Sequence, residues 1–501
     1  MLRLIKRFLG APSLWAIISL LMSGLIIWIP QASPAHKPLH VLPEITSVNG
    51  VLTATLEVKE QKVLLGDTWV NGTVYNGEYA GPVLRVHPGD AMKIKVINHG
   101  SRIMNIHYHG FEGSPLDNHD NIHIGIKPGE TFDYDLTIPA FQPPGLYWYH
   151  DHTHGISSQN VMEGLSGIFI VEGFAEQFPE LKGVKEQLLV LKDYEFDDSK
   201  DPIIGGEYHN NIQSINGQTF STITMRPGET QLWRLSNQSS NLYFHLSLKG
   251  HKFRILAEDG RPALNETETD MLNLGPATRL EVLVDGGAPG VYDLVSEKVL
   301  TGSGKNQSLS RVLGQVEVSG EPGHTVPHLS SFPSNKDLRQ SKIDETRTIV
   351  FSQLNDDKNF FVNGRKFVAG RIDMRIPLGN TEEWTIKNDS DDMHVFHIHQ
   401  LGFQVTEVDG KPKDFNGYVD NVRIPERSSV KVIIPFTNPL IVGQFVFHCH
   451  VLRHEDNGMM AHIEVYDPNL DGAFPFYKAG RNICRLPEAP PVKAVNSTTS
   501  P

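Results

Sequence analysis

Cysteine is almost missing from this chain: there are two in 501 residues, Cys449 and Cys484. A secreted protein held by a disulfide framework carries several, in even number. One of these two sits inside a histidine cluster, so no structural disulfide is expected in the core. A basic excess is missing as well. Lys plus Arg number 45 against 58 Asp plus Glu, a formal net charge of −13. That argues against nucleic-acid binding, which calls for a basic patch or stripe. A surface of this sign tolerates or attracts cations. Helical 3.6-residue periodicity is sparse. The 11 methionines form no cluster beyond Met459-Met460, and the N-terminus has no twin-arginine pair.

What the N-terminus does have is Arg3, Lys6 and Arg7 ahead of an apolar run from Leu14 to Ile29, then Pro30 and the small residues Ala32-Ser33-Pro34-Ala35. This reads as an export signal over 1–35 with cleavage after Ala35. An uncleaved membrane anchor is the competing reading. Either places the folded part outside the cytoplasm, in the periplasm or the extracellular space.

The remaining length suits two to four domains, and an internal repeat sets the number. Asn76-Gly77, Pro88-Gly89, Asn98 and His107 recur as Asn216-Gly217, Pro227-Gly228, Asn237 and His245, and again as Asn363-Gly364, Leu378-Gly379, Asn388 and His397. Each copy has a β-rich run, a Pro/Gly-type turn and an alternating apolar–polar stretch. The expectation is three all-β sandwich domains over 45–175, 185–320 and 346–470. A Pro/Ser/Lys-rich linker fills 321–345, and a C-terminal tail, 471–501, has a disordered composition.

Histidine carries the chemistry. With 23 in the chain, chance gives roughly one His-x-His pair, and there are five, which lowers the risk of a spurious motif. The segments are "HYHG" from His107, "HDHTHG" from His150, "HVFHIH" from His394 and "HCHVLRHEDNGM" from His448. Residues i and i+2 share one side of a strand. His107 with His109, His152 with His154, His397 with His399 and His448 with His450 therefore give eight imidazoles in four pairs. That is more than one ion needs, so a cluster of metals is implied. Cys449 lies between His448 and His450 and points the other way. His394 has the opposite parity to His397, and His454 and Met459 follow Cys449 at intervals of five. Two His, one Cys and one Met are the ligand set of a blue copper electron-transfer site. The Cys449 backbone would then join that site covalently to two ligands of the cluster. The second repeat lacks these pairs, so its domain reads as a structural spacer, with His245 and His251 as core or surface residues.

Over roughly 45–470 the chain resembles the three-domain blue multicopper oxidases, the group of laccases, bilirubin oxidases and bacterial copper oxidases. The resemblance implies three tandem cupredoxin-like Greek-key domains and four copper ions. It implies a type 1 copper on His394, Cys449, His454 and Met459 and a type 2 copper on His107 and His397. Two type 3 coppers are implied on His109, His152, His154, His399, His448 and His450, with His150 left outside the set. It also implies carboxylates that deliver protons: Glu455, and a loop acid after "HYHG", Asp120 in preference to Asp117. The expected partners are dioxygen and an electron donor, with no nucleic acid, and the chain is expected to be a monomer. The donor would deliver electrons at an exposed edge of His454. A Met axial ligand favours electron-rich donors (phenols, aromatic amines, bilirubin-like pigments or cuprous ion), and the lack of a methionine-rich insertion weighs against a dedicated cuprous oxidase. The alternative is a metallo-oxidase acting on Cu(I) or Fe(II), for which the acids near the type 1 ligands (Asp389, Asp391, Asp392, Glu455 and Asp456) could gather cations.

Overall fold

The computed structural model describes residues 37–196, 211–302, 307–354 and 358–469. The N-terminal export or anchor segment, and the tail with Cys484, lie outside them. Three pairs of sheets follow one another along the chain. In the first pair, a four-stranded sheet that includes Val51–Leu65 and Ala91–Asn98 packs on a five-stranded sheet that includes His107–His109 and Gly145–His150. The second and third pairs each combine a six-stranded with a five-stranded sheet.

Period-2 patterning builds these sandwiches. Along Val51–Leu65 exposed and buried residues alternate through the first eight positions, as a strand with one wet face must. Gly145–His150 is buried at every position, because its second face meets the rest of the molecule. Each sandwich closes over its own apolar cluster, around Tyr108 and Phe169 in the first, Trp233 and Phe244 in the second, and Trp384 and Phe396 in the third.

The repeated residues do the same work three times. Asn76-Gly77, Asn216-Gly217 and Asn363-Gly364 all sit at positive φ, the conformation of a tight hairpin turn. Each Asn side chain accepts a backbone N–H from the preceding strand: Glu57 at 2.7 Å, Val190 at 2.7 Å and Val350 at 2.8 Å. The strand that carries this N–H pairs in parallel with the strand that ends near the second repeated Asn. Parallel pairing requires the chain to cross to the other sheet between them. The second Asn ties the end of that strand to the chain that follows: Asn98, Asn237 and Asn388 donate to the carbonyls of Ile126, Leu274 and Ile424.

The 321–345 segment carries no strand before Glu345, where the strand Glu345–Gln353 begins, and one 3-10 turn, Leu338–Gln340. It is nonetheless packed: Val326 and Leu329 join Phe174, Phe178 and Leu256 in a buried cluster.

The register positions the histidines. In the first domain His107 lies opposite His150, and His109 opposite Trp148. In the third, His397 lies opposite His448 and Phe396 opposite Cys449. Asn237 tests this tie away from any ligand. It is fully buried, donates to Leu242 and Leu274 and accepts from Ser239. Asn237→Ala strands three backbone groups and should destabilise the chain by about 2–4 kcal/mol in chemical denaturation, at roughly 1–3 kcal/mol for each unsatisfied group with partial relaxation. An unchanged midpoint would contradict this role.

Candidate metal centre

The strand Gly443–Cys449 ends the third domain's copper segment. Its parity turns the Cys449 side chain into the domain core and the flanking histidines the opposite way. Cys449 Sγ lies 3.5 Å from His394 Nδ1 and 3.6 Å from His454 Nδ1, and these two nitrogens are 3.1 Å apart. The short helix Leu452–Asp456 brings His454 back to the cysteine. Ser390 Oγ lies 2.9 Å from His394 Nε2, leaving Nδ1 to face the sulfur. Met459 is fully buried, and its carbonyl accepts the Cys449 N–H at 3.0 Å. Burial pushes the thiol up to about 12, so it is inert as a nucleophile unless a cation stabilises the thiolate. The His454 edge expected to meet the donor is narrow. The residue is 4% exposed, and Phe360 stacks on its ring at 4.3 Å, because the helix folds it inward under the Phe360–Val362 strand.

A second group of histidines fills the space between the first and third domains. His152, His399 and His448 meet through their Nε2 atoms at 3.1, 3.1 and 3.2 Å. The Nδ1 atoms of His152 and His448 face Glu455, at 3.6 and 3.1 Å, which directs their protons outward and bare lone pairs inward. His109 and His450 rings lie 4.9 Å apart, and His150 lies 5.9 and 5.3 Å from them. His107 stacks on His399 at 3.7 Å and His109 on His397 at 3.8 Å.

These imidazoles fit copper on two counts. They are neutral, as ligands must be: burial, then neighbouring histidines, holds His107, His150, His399 and His450 well below the usual range. Burial brings His394 and His397 to about 3 and His152 to about 4. They also leave nitrogens without hydrogen-bond partners in the protein interior: His107 Nε2, His109 Nδ1, His150 Nε2, His397 Nε2, His399 Nδ1 and both nitrogens of His450. Buried polar atoms are otherwise satisfied, and imidazole with thiolate and thioether suits copper.

One correction follows. The i,i+2 rule grouped His152 with His154, but the strand Gly145–His150 ends at His150. Strand parity therefore does not extend to His154. His150 closes the strand inside the cluster, stacked on Trp148 at 4.2 Å. His154 turns away to Phe367, with ring centroids 4.5 Å apart. There it lines a cavity of about 400 Å³ with His123, Met460 and His462, and the cavity wall also includes His152. His245 meets Arg423 and His251 meets Tyr292, and neither joins a described ligand group.

Of the two loop acids, Asp120 is buried and sits 3.0 Å from His107 Nδ1, while Asp117 is exposed. Burial raises the Asp120 carboxyl well above its ordinary range. Burial would raise Glu455 too, but His152 and His448 hold it below the ordinary value. No sequence motif marks Asp420, which accepts from His109 Nε2 at 2.9 Å and, through its carbonyl, from His397 Nδ1 at 2.7 Å.

Sequence models of multicopper oxidase domains match residues 57–176, 193–315 and 341–469. A multicopper oxidase of Staphylococcus haemolyticus is 29% identical over 85% of this chain and 92% of its own length. A Bacillus subtilis laccase is 22% identical over 79% and 90%. The solved structure described as a multicopper oxidase from Campylobacter jejuni, a metallo-oxidase, superposes with TM-score 0.76 at 26% identity, over 87% of this chain and 96% of that one. With three domain models in the expected order, and with the histidine groups brought together as described, the chain belongs to the multicopper oxidase family.

Proposed function

We propose that the chain is a laccase-like oxidase, one that takes single electrons from phenols or aromatic amines and reduces dioxygen to water. The observation that carries this reading is the alternation at His448-Cys449-His450. One residue enters the His394–His454 site, and its two neighbours enter the eight-histidine cluster. Copper held by His394, Cys449, His454 and Met459 would supply one-electron redox chemistry, and copper held among the eight histidines would supply dioxygen reduction.

The chain's own residues do the rest. The Cys449 backbone gives a path of a few covalent bonds to His448 and His450. Making two waters consumes four protons, and two buried carboxylates lie against the cluster. Glu455, kept ionised beside His152 and His448, can accept a proton at Oε1 or Oε2 and pass it on. Asp120 holds one beside His107, fixed by the Tyr108 N–H and the Gln400 side chain. The cavity along His152 offers a small molecule an approach. The N-terminal apolar run supports export.

A metallo-oxidase is the second reading, favoured by the name of the Campylobacter jejuni structure. The acids that could have gathered cations are otherwise engaged. Arg427 pairs with Asp389 at 2.9 Å and Asp391 at 2.7 Å, and Gln353 donates to Asp392. Glu455 faces the cluster, and Asp456 caps the helix Ser157–Glu163. These pairings weigh toward the organic donor.

Cys449→Ser should remove the blue absorption and dioxygen uptake while the histidine cluster keeps its copper; persisting uptake in an oxygen electrode would refute the proposed path. Dioxygen uptake by the copper-loaded protein should be fast with a dimethoxyphenol and slow with Cu(I) or Fe(II). Saturable preference for either ion would move the assignment to a metallo-oxidase.

A further inference from the structure

The second domain contributes no candidate ligand, yet it reaches the cluster. Arg279, from the strand Arg279–Asp285, is fully buried and grips Asp420 with both arms of its guanidinium, Nη1 to Oδ1 at 2.8 Å and Nη2 to Oδ2 at 2.5 Å. Arg261, from the strand Arg261–Thr269 of the same domain, donates from Nη1 to Asp420 Oδ2 at 3.2 Å. Its Nη2 donates to Glu112 of the first domain at 2.6 Å.

Asp420 is thereby fixed in one orientation, and that orientation decides which nitrogens face the metals. With Asp420 Oδ1 taken by His109 Nε2, the nitrogen left bare is His109 Nδ1. With the Asp420 carbonyl taken by His397 Nδ1, the nitrogen left bare is His397 Nε2. Both bare atoms are buried and unpartnered. The partner of a ligand's second nitrogen sets its tautomer and ring orientation. A bidentate guanidinium is suited to hold a carboxylate this way, and lysine is not its equivalent.

The backbone is shaped to admit the pair. Gly110, directly after His109, has φ +85°, and a Cβ there would lie 2.7 Å from Asp420 Oδ2 and 2.8 Å from Arg279 Nη2. The glycine of "HYHG" is thus the opening through which the carboxylate and guanidinium approach His109.

We propose that Arg279 and Arg261, both supplied by the second domain, are positioning residues for the three-copper cluster, acting through Asp420 on His109 and His397. The inference rests on the copper reading of those histidines. The test uses full-length, copper-loaded protein and compares copper per chain, blue absorption and the electron paramagnetic resonance of the type 2 copper. Arg279→Lys keeps a cation and removes the fork, so it remains informative should Arg279→Gln fail to fold. Arg279→Lys should leave the blue absorption at Cys449 intact and alter the type 2 signal, with cluster copper bound roughly 10- to 100-fold more weakly. Asp420→Asn should give the same spectral change, and the double variant nothing further. A wild-type copper count and type 2 signal in Arg279→Lys, against a wild type holding four coppers, would overturn the inference alone. A wild type that takes up copper only at Cys449 would overturn the copper reading and the inference together.

Discussion

Eight buried imidazoles turn nitrogens toward one another, and most of those nitrogens find no partner elsewhere in the protein. Three Nε2 atoms meet about 3.1 Å apart at His152, His399 and His448. Burial denies these nitrogens water, and copper held among them would satisfy them. Much of the surrounding structure holds those nitrogens in place: Glu455 behind two of the rings, Asp120 behind His107, and Asp420 behind His109 and His397.

The cluster lies between domains, so the domains must be held in register. The helix Ser157–Glu163 of the first domain is fixed at both ends. Asp456 of the third domain accepts the N–H groups of Gly155, Ser157 and Ser158, an anion at a helix start. Lys192 of the second domain, fully buried, donates to the Val161 carbonyl at 2.8 Å near the helix end. Asp456 is covalently next to Glu455, so the residue that docks the helix also aims the acid beside the cluster. The second domain, through Lys192, takes part in holding that register.

What could be read from the sequence was local and periodic. Three copies of Asn-Gly and Asn gave the all-β repeat, and the parity of His448, Cys449 and His450 gave the separation of the two sites, because both follow from backbone geometry at short range. The choice between His150 and His154 required knowing where a strand ends, which the i,i+2 pattern of "HDHTH" leaves open. The burial of His454 depends on Phe360, nearly a hundred residues earlier. Asp420, Arg261 and Arg279 belong to no motif, and only tertiary packing brings three domains to one carboxylate.

The central claim is that the bare nitrogens and Cys449 hold four coppers. Anomalous scattering at the copper absorption edge, from crystals of the copper-loaded full-length chain, tests it most directly. The account predicts one peak bounded by His394, Cys449 and His454, and three among the eight histidines, with His150 in contact and His154 apart. A single peak, or copper bound to His154 in place of His150, would contradict it.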